Sequence, residues 1–343
     1  MENNDSDMGN REWIELTVSH RETGHVPYNF MFSPPIEEIL RRHYRTSDLE
    51  KKLNFPIRMN APCSIKPLYA SPDQYGGTIE DEFGVVWSTS YIDRGSPVGP
   101  CLKEPSLSAY RFPDPSEEYR FEGLGEWCVK NSDHYRIMWV GDLWERATFM
   151  RGMQDLLMDL TLNPVFVEAL LSGIRDYILG TIAILFERFD FEAVALSDDY
   201  GTQKDLIISP ESWRKFVKPH LSEIYGKAKE SGKAVFHHSC GNVASIIPDL
   251  LDIGLDILHP VQPEVLDIIF IKKEYGHALT FCGGLSTQKL LPHGSPDEVR
   301  EEVKRLKREM GRGGGYILEP GITIQADVPL RNLLVMIEEA LAE

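Results

Sequence analysis

The chain has 343 residues, 42% of them hydrophobic and 26% charged, the balance of a soluble globular protein with a substantial core. With 36 basic against 53 acidic residues the net charge is −17, a field that repels phosphate backbones and anionic membranes and argues against nucleic acid as a partner. No run approaches the roughly 20 apolar residues of a membrane helix, the first residues lack the basic and apolar parts of a signal peptide, and five widely spaced cysteines make no disulfide framework, so the expected location is cytoplasmic.

Residues 1–10 are polar and read as a loose tail. Residues 25–32 (HVPYNFMF) are expected to form a first barrel strand, followed by a helix over 36–43. From about 56 to 119 the chain is rich in Pro, Gly, Ser and aromatics, and reads as an irregular excursion covering one rim. Within it, residues 78–87 alternate and turn as a β-hairpin. From residue 136 onward short apolar runs alternate with helical patterns: runs at 137–140, 193–196, 234–236, 256–258, 278–281 and 316–318, helices near 148–160, 164–189, 210–231 and 329–342. Ser295 followed by Pro296 opens a further helix with a cap and a first-turn proline. Short strands that are apolar throughout, separated by amphipathic helices, indicate a parallel sheet covered on both faces.

The polar residues decide between an open sheet and a barrel. The runs lead directly into Ser197-Asp198-Asp199-Tyr200-Gly201, His237-His238-Ser239-Cys240-Gly241, His259-Pro260-Val261-Gln262, Cys282-Gly283-Gly284 and Glu319-Pro320-Gly321. Successive strand ends bearing reactive or metal-capable side chains belong at the mouth of a barrel. An open sheet would gather them at one switch point, and no Gly-x-Gly-x-x-Gly motif follows a strand. The expected fold is therefore α/β, a (β/α)8 TIM barrel in one domain over 1–343 with an N-terminal excursion containing a β-hairpin. His238 and Cys240, two apart in extended chain, point the same way and can share one borderline ion such as zinc. Taken singly, each of these residues also has a plain structural use: Asp198 or Asp199 as a cap or brace of its loop, His259 as a packed histidine, Cys282 as a buried thiol.

From about residue 146 the chain resembles the uroporphyrinogen decarboxylase-like superfamily, in particular its corrinoid-associated methyltransferase branch. The segments that carry the resemblance are ALSDDYGTQ (195–203), SPESWRKFVKP (209–219), HSCGN (238–242), DILHPVQ (256–262), FCGGLSTQ (281–288) and IQADVPLRN (324–332), with EDEFGVVW (80–87) in the excursion. The resemblance implies a (β/α)8 barrel whose zinc, held by a His-x-Cys pair and a third ligand, acts as a Lewis acid while a methyl group passes between a small methylated substrate (methyl ether, amine or thiol) and a corrinoid, often on a separate protein. His238 and Cys240 match that pair. Residues 21–34 lack the arginine-rich segment with which true decarboxylases grip carboxylates. Near the last strand, where relatives carry a third cysteine ligand, this chain reads Glu319-Pro320-Gly321-Ile322; Cys282, then Glu319, are the candidates to replace it. Asp198, Asp199 and His259 are expected as catalytic or orienting groups, and Tyr200, Gln203, Gln262 and Gln288 as substrate-binding ones. A homodimer is the family expectation. The rival readings are a metal-free decarboxylase, in which Asp198 or Asp199 stabilises a cationic pyrrole, and a non-catalytic corrinoid-binding relative.

Overall fold

The computed structural model describes residues 8–90 and 93–342, so residues 1–7 of the expected tail lie outside the described residues. From Asn10 the tail reading is replaced by a helix, α1 (Asn10–Val18). Its Ile14 is fully buried and packs with the lowest inward-facing residues of the barrel, closing the floor. Residues 27–33 run beside the last barrel strand and are followed by α2 (Pro34–Tyr44) and α3 (Leu49–Lys52).

The next element corrects the expected start of the excursion. Residues 57–60 form β1 (Ile57–Asn60), a barrel strand paired in parallel with residues 135–138, so the excursion begins after Asn60. Its signal was hidden because Ile57-Arg58-Met59-Asn60 has no continuous apolar run. The excursion folds as a small antiparallel sheet of β2 (Thr78–Glu80), β3 (Val86–Ser88) and β4 (Pro97–Gly99), the first two being the predicted hairpin. Asp81 organises the turn: Oδ1 accepts the Phe83 and Val85 N–H groups, and Oδ2 accepts the Trp87 indole at 2.8 Å and Arg146 at 2.7 Å. Arg146 belongs to the main body, so one carboxylate both shapes the hairpin and ties it to the barrel.

The remainder follows the alternating pattern: α4 (Leu124–Lys130), β5 (Tyr135–Gly141), α5 (Trp144–Arg151), α6 (Met153–Leu162), α7 (Pro164–Arg188), β6 (Ala193–Ser197), α8 (Pro210–Phe216), α9 (Lys218–Glu230), β7 (Ala234–His238), α10 (Ile247–Asp252), β8 (Ile257–Val261), α11 (Ile268–Tyr275), β9 (Thr280–Leu285), α12 (Leu290–His293), α13 (Pro296–Met310), β10 (Tyr316–Pro320) and α14 (Leu330–Leu341). The helix expected over 210–231 is broken at Val217. Pro219 offers no N–H to continue the ladder and restarts a helix at its first turn. Ser295 caps α13 as expected, in a reciprocal box with Glu298. Against the expectation that no stretch suits a membrane, α7 is long and apolar enough by length and composition to span one; here one of its faces, including Leu170, Ile174 and Leu185, is buried in the core.

Seven strands pair in parallel in the order β1-β5-β6-β7-β8-β9-β10. The eighth place is taken by residues 27–33, the first strand expected from sequence. They join β10 and the chain after it by bridges at Tyr28–Leu318 and Phe32–Ile324, with bonds such as Pro27 O to Leu318 N at 2.8 Å. Tyr28, Phe30 and Phe32 meet Phe55 just ahead of β1, which brings the two ends of the sheet together. This is the α/β barrel.

Strand side chains alternate, so the inward face can be read layer by layer. Ile57, Ile137, Ala195, Phe236, Ile257, Cys282 and Ile317 fill the interior as an apolar cluster. Two residues further on, the same face carries Ser197, His238, His259 and Glu319. The interior thus changes from apolar to donor-rich at its C-terminal end.

Candidate functional site

Two groups of potential metal donors meet at this end: Asp199, His238 and Cys240, which are partly exposed, and His259, Cys282 and Glu319, which are buried. Within each, the donor atoms lie within 4.8 Å of one another. In the upper group, His238 Nε2 is 3.4 Å from Cys240 Sγ and 3.5 Å from Asp199 Oδ1, which also accepts the Cys240 N–H at 2.8 Å. In the lower group Cys282 Sγ donates to Glu319 Oε2 at 2.9 Å, and His259 Nε2 stands 3.9 Å from the same oxygen. The groups touch through His238 Nδ1 and His259 Nδ1, 2.8 Å apart, on residues that are register partners in β7 and β8.

The loops that carry the upper group are locked together by their backbones. Gly201 N–H donates to Cys240 O at 3.2 Å and Asn242 N–H to Thr202 O at 2.9 Å. A Cβ on Gly201 would lie 2.5 Å from Asn242 N, and one on Gly241, whose φ is +82°, would lie 2.3 Å from Gly201 C. The glycines in the two quoted motifs therefore let Asp199 and Cys240 approach. Gln262 braces the same loop by accepting the Gly241 N–H at 3.1 Å.

Electrostatics separate the groups. Burial, then the neighbouring His238, holds His259 well below the usual imidazole range, so it is neutral. Burial pushes the Cys282 thiol up, with Glu319 adding to it, and pushes Glu319 up to about 8, opposed by the Cys282 hydrogen bond and the nearby Asn29. Among the described residues, His259 Nε2 and Glu319 Oε1 have no hydrogen-bond partner although both residues are nearly inaccessible. In the upper group burial pushes Asp199 up, but the hydrogen bond and charge of His238 outweigh it and hold the carboxylate below its usual range.

The expected site residues fall into three sets. His238, Cys240, Asp199, His259, Cys282 and Glu319 come together, but the four predicted metal ligands are divided between the two groups, because Cys282 sits one layer below the strand ends. Asp198 is fully buried and braces the start of α5: its carboxylate accepts from Leu143 N (2.9 Å), Glu145 N (2.8 Å) and the Tyr200 hydroxyl (3.0 Å). Tyr200 is 1% exposed and stacks on His237, which turns outward to Tyr225. Gln203 and Gln288 are exposed on the loops after β6 and β9, outside both donor groups.

Glu145 and Arg94 were missed. Glu145 Oε2 lies 3.2 Å from the Ser197 hydroxyl, and Ser197 is the register partner of His238. Burial, then Asp199 and Asp142, push its carboxyl up to about 9. Arg94, from the excursion, stands 3.7 Å from Glu145. Reading the end of β5 as the other strand ends were read would have led from Gly141-Asp142 to Glu145; nothing in the sequence marks Arg94.

The family described as uroporphyrinogen decarboxylase (URO-D) matches residues 137–342, more than half of the chain. The protein belongs to the URO-D family. Over 146 residues this URO-D family member is 27% identical to methylcobamide:CoM methyltransferase MtaA of Methanosarcina barkeri, covering 43% of this chain and 40% of the relative. It is also 27% identical over 136 residues to uroporphyrinogen decarboxylase of Thermus thermophilus, covering 38% and 37%. The methylated-thiol–coenzyme M methyltransferase of Methanosarcina mazei is 21% identical over 187 residues, covering 54% and 47%. The matches thus span less than half the length of these curated relatives. A solved methyltransferase from Methanosarcina mazei shares the fold across 97% of this chain and 98% of its own, with a TM-score of 0.71 at 16% identity.

Proposed function

We propose that this URO-D family member is a methyltransferase that moves a methyl group between a small methylated substrate and a corrinoid carried by a partner protein, with zinc at the barrel mouth. The observation that carries the reading is the pair of donor groups. A nitrogen, a sulfur and an oxygen converge beside a buried layer in which His259 Nε2 and Glu319 Oε1 have no hydrogen-bond partner among the described residues. Such a mixed set suits zinc, and three protein ligands leave the open position that a catalytic zinc keeps. His238 Nε2, Cys240 Sγ and Asp199 are the ligands in this reading, ahead of Cys282, one layer beneath, and Glu319, which is hydrogen-bonded to it. Bound there, zinc would supply Lewis acidity toward a thiol or an ether oxygen.

The protein's own groups have defined tasks. His259 contacts the far nitrogen of His238 and fixes its ring, as the outer partner of a ligating histidine does. Glu145, whose carboxyl burial pushes up ahead of any neighbouring charge, can hold a proton over the mouth and deliver it to a leaving oxygen or sulfur. Asp198 holds the start of α5, and with it Glu145, in place. The corrinoid half of the reading is supported by the methylcobamide named in the activity of the M. barkeri relative. A decarboxylase reading has the T. thermophilus relative in its favour, but residues 21–34 lack the arginine-rich carboxylate grip.

The test pairs metal analysis with turnover. Protein produced with zinc is expected to hold one equivalent, to lose it in Cys240→Ala and Asp199→Ala, and to retain it in Cys282→Ala. Demethylation of methylcobalamin by a panel of thiols, or methylation of cob(I)alamin by methyl ethers and amines, follows the catalytic half by visible absorbance. A zinc-free preparation with full activity defeats the metal role. Corrinoid binding without transfer to or from any of the panel would leave a binding protein.

A further inference from the structure

Beside the mouth, between the ends of β1 and β5, the hairpin turn and α7, lies a cavity of about 180 Å³. Phe83, Trp139, Tyr177 and Ile178 give it apolar walls, and Glu82, Arg120, Asp142 and Arg146 are its charged lining. Phe83 and Tyr177 meet edge to face at 4.9 Å. Trp139 meets Phe236 at 5.7 Å, and Phe236 lies 5.2 Å from the ring of His259, so a short chain of aromatic contacts joins the cavity to the donor groups.

Arg120 is the informative residue. It is 1% exposed. Its Nε donates to Asp114 O at 3.2 Å and its Nη1 to Glu82 at 3.1 Å, but Nη2 has no hydrogen-bond acceptor among the described residues. The guanidinium lies over the Tyr119 and Tyr177 rings, 5.2 and 5.3 Å from their centroids, which offsets part of its burial; an oxygen placed in the cavity would give Nη2 the acceptor that those ring faces do not. The positive charges around it are more than matched: the two guanidinium groups of Arg120 and Arg146 face the three carboxylates of Glu82, Asp142 and Asp81. The cavity therefore offers a donor without surplus positive charge, which favours a neutral oxygen over a carboxylate. Its volume exceeds the roughly 150 Å³ that accommodates a benzene ring.

We propose that this cavity is a subsite for a small neutral aryl ether or phenol, its ring against Trp139 and Tyr177 and its oxygen accepting from Arg120 Nη2. Only the claim that this ligand is the methyl donor or its product rests on the methyltransferase reading; the binding itself does not.

The experiment uses the full chain after chelator treatment, titrated with 2-methoxyphenol while tryptophan fluorescence and binding heat are recorded. The expected result is saturable binding, at least about tenfold weaker for toluene and for benzoate, and about tenfold weaker in Arg120→Met. In Trp139→Phe the fluorescence change is expected to disappear while the binding heat remains. Toluene binding as tightly as 2-methoxyphenol, a folded Arg120→Met with unchanged affinity, or a fluorescence change that survives Trp139→Phe overturns the proposal. Should Arg120→Met fail to fold because Glu82 keeps only the Ser64 hydroxyl and loses its guanidinium partner, the double variant with Glu82→Gln replaces it, with the same tenfold loss expected and unchanged affinity overturning the subsite. Binding without any methyl transfer leaves the subsite standing and counts against the methyltransferase reading. Methyl transfer to thiols with no binding of 2-methoxyphenol does the reverse.

Discussion

The two ends of this barrel use similar polar side chains in opposite ways. At the N-terminal end Arg136, at the start of β5, is closed off completely. Glu192 accepts from its Nε (3.0 Å) and Nη2 (2.7 Å), Asp190 from Nη2 (2.9 Å) and Cys128 O from Nη1 (2.9 Å). At the C-terminal end His259 and Glu319 are at least as deeply buried, yet each keeps an atom without a hydrogen-bond partner among the described residues. The difference is one of purpose. Polar groups that satisfy each other specify and hold a fold, whereas the groups left open in the donor-rich layer are the ones that the proposed metal site would draw on.

The largest effect should come from breaking the closed end. Arg136→Met leaves Glu192 buried, with Arg11 at 3.3 Å and the backbone N–H of residue 136 at 2.7 Å as its remaining partners, and should cost about 3 kcal/mol in urea denaturation without altering metal content. A loss below about 1 kcal/mol would mean that the N-terminal end is not the stabilising one. At the mouth the pattern should invert. Cys240→Ala should weaken zinc binding about a hundredfold or more, equivalent to about 2.7 kcal/mol of binding energy, while the stability of the metal-free protein changes by less than about 1 kcal/mol. Competition with a coloured chelator measures the first quantity and urea melts the second.

How much of this was legible in the sequence follows the same division. The parallel strands from β5 onward announced themselves because strands buried on both faces must be apolar throughout, and their polar ends stood out against that background. β1 did not, since a four-residue strand with Arg58 and Asn60 among its members looks like loop. The split of the donors was not legible either. His238-x-Cys240 tells that two side chains share a face, but which layer Cys282 occupies depends on where its strand starts within the barrel. Tyr200 looked like a pocket residue by its place in the motif; its burial comes from Trp213 and His237, which tertiary packing alone brings beside it. Arg94 and Arg120 come from an excursion without periodicity, where no rule of spacing says what a side chain will face.

Asp198 is the mouth residue that behaves like one from the closed end. Asp198→Ala would strand the Leu143 and Glu145 N–H groups in a buried place and should destabilise the protein by about 2 kcal/mol while zinc content is retained. Unchanged stability with abolished turnover would instead return Asp198 to the catalytic role read from its position in the motif.

Lys272 gives the smallest and most specific contrast. On α11 it reaches Gly314 O and Gly315 O ahead of β10, at the closed end, and burial pushes its ammonium down to about 8 from the ordinary 10.5. Below pH 8 the folded and unfolded chains both carry the charge, and the folded one bears the full cost of burying it. Between about 8 and 10.5 the unfolded chain still binds the proton while the folded one releases it, so stability rises with pH across that window and levels off above it. The neutral amine still donates to a carbonyl, so the contact survives deprotonation. Because Lys272 is only partly buried, the gain should be about 1 kcal/mol rather than the full linkage value. Urea denaturation of the wild type and Lys272→Met at pH 7 and pH 10 isolates it: the difference between the two proteins should shift in favour of the wild type by that amount. A pH-independent difference would mean that the ammonium at the closed end is as well solvated as a surface lysine.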